Sequence, residues 1–470
     1  LKYVSTRGQA PSLGFEDVLL AGLASDGGLY VPEVWPTLSK QAIAGLAGRP
    51  FADVATEVIY PFVGDSMTRA ELAAMTADAY GRFGHPAVTP LVQIAPGRFI
   101  LELFHGPTLA FKDVAMQLLA RLMDRALKKR GQRATIVGAT SGDTGGAAIE
   151  AFRGSERLDV VILFPEGRVS DVQRRMMTVP ADRNVHAVAV KGTFDDCQAL
   201  VKGMFNDRAF RDRMSLSGVN SINWARIAGQ LAYYFAAAVA LGAPHRPVSF
   251  AVPTGNFGDI FAGFVAKRMG LAIDRLAIAS NVNDILPRTL QSGAYEMREV
   301  VATSSPSMDI QISSNFERYL FEASGRDASF IRGKMQDLAS TRRFELGALR
   351  SAFDRDFTAS AATEDDVARA IRSLREECGY LADPHTACGL VAAERALGGD
   401  IAIPQVVLAT AHPAKFPDSM QAIIGERPPL PPGYANLAEG RERFTVVAND
   451  LEAVQARVTE LTRGTSGGRG

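Results

Sequence analysis

From about residue 96 the chain repeats one pattern: a short, nearly continuous apolar run rich in β-branched residues, followed by a segment of helical periodicity. The runs fall at 135–138, 160–164, 185–190, 248–252, 276–279 and 406–409. Runs apolar at nearly every position belong to strands covered on both faces. Such strands alternating with helices form open, mostly parallel α/β sheets. Ligands of these sheets bind beyond the carboxyl ends of the strands, so the loops after each run carry the functional argument.

Outside this repeat the pattern is helical. From 14 to 92, Phe15, Val18 and Leu19 fall at helical spacing, and Thr68 followed by Glu71 reads as a capping box. A second stretch, 316–378, reads as an all-helical insertion whose last long helix is capped by Thr363 with Asp366. Only 465–470 looks like a frayed tail. At roughly 150 residues per domain, 470 residues suggest about three domains. The expected division is 1–95, mostly helical; 96–128 with 215–470, the large α/β domain and its insertion; and 129–214, a smaller, mobile α/β domain.

Composition narrows the function. With 47% hydrophobic residues the chain can build a core, and 51 basic residues balance 51 acidic ones. No global field therefore draws it to nucleic acid or an anionic membrane, and any anion must be held locally. Cys197, Cys378 and Cys388 are odd in number and wrongly spaced for a disulfide framework or a C-x-x-C site. Residues 1–8 contain no apolar signal core. The longest apolar stretch, 231–244, falls short of the ~20 residues that span a bilayer. A soluble, cytoplasmic protein is expected. The six histidines show no metal-ligand spacing, so no metal is expected. No G-x-S-x-G elbow stands between an apolar run and a helix, and Walker and G-x-G-x-x-G sequences are absent.

Five segments carry chemistry. Gly255-Asn256-Phe257-Gly258-Asp259 follows one apolar run and precedes a helix, so its backbone N–H groups and the helix dipole suit a phosphate. A tight β–α turn would need the same glycines. Thr140-Ser141-Gly142-Asp143-Thr144-Gly145-Gly146, before a helix expected at 147–152, combines hydroxyls, glycines and a helix start. It reads as a carboxylate cradle, or as capping alone. Lys112 stands after Leu109-Ala110-Phe111 at the start of a helix reaching about Lys128. Desolvation and the helix dipole depress its pKa toward a nucleophilic amine; the alternative is a surface lysine paired to Asp113. Asn220-Ser221-Ile222-Asn223-Trp224-Ala225-Arg226 suits a second phosphate, or is a capped helix with a structural arginine. Thr410 ends the last run and can bond a ligand, while His412 reads as structural.

The segments HGPTLAFKD (105–113), GATSGDTGGAA (138–148), NSINWARI (220–227), PTGNFGD (253–259) and TAHPAKF (410–416) together resemble the fold-type II pyridoxal-phosphate enzymes, the tryptophan synthase β-like family. Within that family the resemblance is to the long-form threonine synthases, whose N-terminal domain looks like STRG (5–8) and LASDGGLYVP (23–32). It covers about residues 3 to 430. It implies that Lys112 carries pyridoxal 5'-phosphate and that Gly255, Asn256, Phe257, Gly258 and Asp259 hold the cofactor phosphate. Thr410 would face the pyridine nitrogen. Ser141, Gly142, Asp143 and Thr144 would grip the substrate carboxylate, and Asn220, Ser221 and Arg226 the substrate phosphate. Asp143 stands where short-form relatives have Asn, and a carboxylate there repels the cofactor's phenolic oxygen unless a proton or water intervenes.

The activity so implied is a lyase reaction in threonine biosynthesis: O-phospho-L-homoserine and water give L-threonine and phosphate, by γ-elimination and β-addition. The expected partner is this small molecule alone, with the chain a monomer or homodimer. A serine/threonine dehydratase would use the same lysine and loops without a second phosphate site. A non-catalytic ligand-binding homologue is a third reading.

Overall fold

The structure is a computed structural model that describes residues 1–398 and 400–463. The tail expected at 465–470 lies outside them. In chain order the strands are β1 (Tyr3–Ser5), β2 (Tyr30–Pro32), β3 (Leu91–Ala95), β4 (Arg98–Glu102), β5 (Ala134–Ala139), β6 (Leu158–Pro165), β7 (Val185–Lys191), β8 (Leu216–Ser217), β9 (Val248–Pro253), β10 (Ile273–Ser280), β11 (Ala294–Glu296), β12 (Arg343–Glu345), β13 (Thr358–Ala361), β14 (Gln405–Ala409) and β15 (Thr445–Ala448). The six apolar runs are β5, β6, β7, β9, β10 and β14. Two α/β sheets result, with orders β13-β10-β9-β14-β4-β3 and β15-β7-β6-β5-β8. All their pairings are parallel except the β3–β4 hairpin at one edge.

Alternate residues of each strand serve different cores, as the pleat requires. Phe250, Val252, Val406 and Leu408 join the main core, which also contains Trp224 and Phe261. Their neighbours Ala251 and Val407 pack with Ala393 and Leu397 on the opposite face. In the second sheet Ile136, Val160 and Ile162 face the main core, whereas Val137, Val161 and Val188 pack with Cys197, Leu200, Val454 and Val458. The N-terminal helices dock through Trp224, fully buried against the rings of Tyr3, Trp35 and Phe62 at 5.6 to 5.9 Å.

Both capping boxes form, at Thr68 with Glu71 and at Thr363 with Asp366. Three expectations need correction. The insertion is not all-helical: β12 pairs with β11, and β13 extends the large sheet beside β10. A boundary at 214 leaves out two strands of the second sheet, β8 beside β5 and β15 beside β7, so part of the chain after 430 returns to that sheet. The helix expected at 147–152 begins four residues earlier, as Asp143–Phe152, because Thr140 Oγ1 accepts from the N–H groups of Gly142 and Gly145 and draws the loop into a first turn. Among the described residues no helix is long and apolar enough to cross a membrane, and no His, Cys, Asp and Glu cluster has metal-binding geometry.

Candidate active site

The chemical loops converge where the carboxyl ends of the strands meet. Lys112 opens the helix Lys112–Arg130, and the loop before it is stitched to the end of β14. Phe111 N–H donates to the Thr410 carbonyl at 2.8 Å, His412 N–H to the Leu109 carbonyl at 3.0 Å, and Ala110 bridges Ala411. Leu109 is left-handed, with φ 56°, although it is not glycine. Such backbone strain persists only where the surroundings impose it, and here Leu109 is buried.

Lys112 is 8% exposed and does not pair with Asp113, whose carboxyl accepts instead from the N–H and hydroxyl of Thr108, each at 2.7 Å. Its partner is Asp143, at 3.4 Å. Burial lowers the Lys112 pKa; Asp143 opposes that, while the charges of Lys415 and Arg226 add to it. An amine whose charged form is disfavoured in this way can act as a nucleophile or carry a proton.

Asp143 is the most fully engaged group of the site. Its Oδ1 accepts from Lys415 Nζ at 2.7 Å and Gln173 Nε2 at 3.0 Å; its Oδ2 faces Lys112 and, at 3.4 Å, Ser307 Oγ. Burial pushes its pKa up, but the ammonium groups of Lys415 and Lys112 outweigh burial and hold it well below the carboxylate range. Ser141 and Thr144 are half-buried, and their side chains make no hydrogen bond among the described residues. Gly142, at φ 143°, packs directly on the Gln173 side chain, where a Cβ would come within 2.4 Å.

The loop after β9 turns its carbonyls away from its N–H groups. The Gly255 carbonyl accepts from Ser313 Oγ, the Asn256 carbonyl from Asn315, and the Phe257 carbonyl from Phe261 N–H. Among the described residues none of the N–H groups from Gly255 to Ile260 donates a bond. Free N–H groups at the start of the helix Gly258–Arg268 can receive an anion such as a phosphate. Phe257 is left-handed at φ 62° and is anchored among the rings of Phe316, Tyr319 and Phe357. The Asp259 carboxyl points elsewhere: its Oδ1 accepts from Tyr233 at 2.5 Å and Tyr234 at 2.9 Å, and burial raises its pKa to about 6. Only its backbone N–H suits an anion.

Arg226, on the helix Trp224–Ala240, is 3% exposed. It donates to the Val219 carbonyl at 3.2 Å, its Nε has no partner, and no carboxylate pairs with it among the described residues. Burial lowers its pKa to about 10. A buried, unpaired guanidinium is costly, and an anion would relieve it. Ser221 is half-buried and Asn220 exposed, so neither is drawn into the cluster as closely as Arg226. Thr410 is buried and its side chain makes no hydrogen bond among the described residues. His412 accepts from Ala414 N–H and packs edge-on to Phe104, a structural place.

Four residues escape the sequence reading: Lys415, Gln173, Ser307 and His385. His385 is paired to Asp383 at 2.7 Å and accepts the Ser307 N–H at 3.2 Å, fixing the segment that closes over Gly255. Lys415 lies within the quoted 410–416 motif, but nothing in its spacing shows that it reaches Asp143. A separate cavity of about 980 Å³ lies beyond Ser313, among Arg7, Glu317, Leu320 and Phe344, and is not lined by Lys112, Asp143 or Thr410.

A desolvated lysine, a cradle of free N–H groups and mostly parallel α/β sheets define a pyridoxal-phosphate-dependent enzyme of fold-type II. Residues 83–344 match the family described as pyridoxal-phosphate dependent enzyme, residues 2–80 the threonine synthase N terminus, and residues 386–458 the threonine synthase C-terminal region. The chain is 48% identical to threonine synthase of Pseudomonas aeruginosa over 98% of both chains, and 39% identical to that of Saccharomyces cerevisiae over 98% of this chain and 96% of the other. The crystal structure of pyridoxal-phosphate-bound threonine synthase from Brucella melitensis superposes with a TM-score of 0.96 at 59% identity, covering 98% of this chain and 99% of that one. The chain belongs to the threonine synthase family.

Proposed function

We propose that the chain converts O-phospho-L-homoserine and water into L-threonine and phosphate. One observation carries this reading: besides the N–H cradle at 255–260, the site contains a buried guanidinium, Arg226, with no carboxylate beside it among the described residues. Two anion positions fit a cofactor phosphate and a substrate phosphate, whereas a dehydratase needs only the first.

Lys112 and the N–H groups of Gly255 to Asp259 would hold pyridoxal phosphate, with Thr410 beside its ring. When bound, the cofactor supplies the electron sink for bonds broken at the substrate's carbons. The chain's own residues do the rest. Arg226, with Ser221 and Asn220, binds the substrate phosphate; Ser141, Gly142 and Thr144 hold its carboxylate at the start of the helix Asp143–Phe152. Lys112 Nζ moves protons at the α and β carbons. Water must be kept out until phosphate has left the γ carbon, and then add at the β carbon. We therefore also propose that the smaller sheet, with the helices packed on it, closes on bound substrate. A cytoplasmic location is supported by free thiols at Cys197, Cys378 and Cys388.

The test is phosphate release from O-phosphohomoserine, with serine and threonine as control substrates. Equimolar threonine and phosphate are expected. Ammonia release from serine with no phosphate from phosphohomoserine would make the chain a dehydratase. Protein that stays colourless with added pyridoxal phosphate would make it a binding homologue.

A further inference from the structure

Asp143 and Lys415 come from different sheets. Asp143 opens a helix after β5, and Lys415 ends the short 3-10 turn Pro413–Lys415 after β14. Both are buried, with side chains 3% and 1% exposed, and their charged atoms lie 2.7 Å apart. Lys415 Nζ also donates to the Thr108 carbonyl at 2.7 Å, in the loop that leads to Lys112, and its own carbonyl accepts from Ser170 Oγ. Ser170 caps the helix Asp171–Thr178, which carries Gln173, the other donor to Asp143 Oδ1.

We propose that Lys415 is a positioning residue that acts through Asp143: the two form one neutral unit that orients Lys112 Nζ without trapping it as an ammonium. The proposal rests on the reading that Lys112 carries the cofactor. A lone buried carboxylate at 3.4 Å would stabilise the charged amine, which cannot attack an aldehyde. Lys415 offsets that charge and leaves Asp143 Oδ2 free to orient Lys112. The other charged groups facing Lys112 are Arg226, which disfavours its proton, and Asp259, whose carboxyl is engaged by two tyrosines.

The experiment uses the holoenzyme and three variants: K415M, D143N and the double variant. The readout is the pH midpoint of the cofactor's visible absorbance, with the rate at which apoenzyme takes up pyridoxal phosphate as a second measurement. K415M should raise the midpoint by about one pH unit and slow uptake about tenfold at neutral pH, and D143N should lower the midpoint by about as much. The double variant should return to the parent value, because it restores a neutral pair. If K415M does not fold, D143N and the double variant decide: adding K415M to D143N should move the midpoint back up. Unmoved midpoints, or a double variant that does not recover, overturn the proposal. Borohydride fixation of the cofactor on Lys112 in the parent tests the underlying reading separately, since it can succeed while the midpoints stay put.

Discussion

Arg226 bears the weight of the substrate assignment, because it is buried with its Nε unpartnered. Removing a charge-assisted bond costs about 1.5–3 kcal/mol, so Arg226→Ala should raise KM for O-phosphohomoserine about 10- to 100-fold. The visible absorbance of the bound cofactor should be unchanged; unaltered turnover would remove the second phosphate from the reading. Asp259 makes a different prediction. Burial raises its pKa from 3.8 to about 6, so the folded chain keeps a proton that the unfolded chain gives up. Stability therefore falls as pH rises from about 4 to about 6 and stays lower above that. The contribution is roughly 3 kcal/mol. Asp259→Asn keeps an acceptor for Tyr233 and Tyr234 but cannot ionise. Its urea midpoint should lose this decline, leaving the variant more stable than the parent above pH 6.

Among elements, the phosphate loop admits no side chain at Gly255. A Cβ there would lie 2.7 Å from the Ser307 carbonyl, whose residue is tied by its N–H to His385. Gly255→Ala should weaken cofactor retention about tenfold or more while circular dichroism stays unchanged. By contrast Gly333, inside the helix Ala328–Thr341, meets nothing within 4 Å. Gly333→Ala should stabilise the protein by up to about 1 kcal/mol in thermal unfolding. These positions look alike in sequence and differ only in their surroundings, which shows where sequence reading stops. The doubly covered strands were legible because nearly every position of their central runs is apolar. The β3–β4 hairpin was signalled by Pro96-Gly97, with Gly97 at φ 71°, but its strands are short and the first begins at the edge of the stretch read as helical. Strand β13 could not be read, because Thr358-Ala359-Ser360-Ala361 lacks an apolar run and pairs only because β10 offers an edge. Likewise Lys112, Asp143 and Arg226 were legible as chemical types in loops. The contact of Lys415 with Asp143 joins residues far apart in the chain and exists only through packing.

At the scale of the whole molecule, the two sheets meet across the site. Asp143, Ser170 and Gln173 come from the side of the smaller sheet, and Lys112, Lys415 and Ser307 from the larger. The chain after 430 crosses back to the smaller side. There Glu442 pairs with Arg174 and Arg175, while Val454 and Val458 are buried with Cys197 and Leu200. The smaller unit is thus built from two separate stretches. A substrate bridging Arg226 on one side and the start of the helix Asp143–Phe152 on the other adds contacts present only when the units approach. The prediction is closure: the radius of gyration, about 23 Å for a compact chain of this length, should contract by roughly a few per cent in solution scattering with a non-reactive phosphonate analogue. The Arg226→Ala variant should show no contraction at the same analogue concentration, because the bridge has lost one end. Identical scattering curves for the parent with and without the analogue would remove closure from the mechanism and leave water exclusion to the substrate itself.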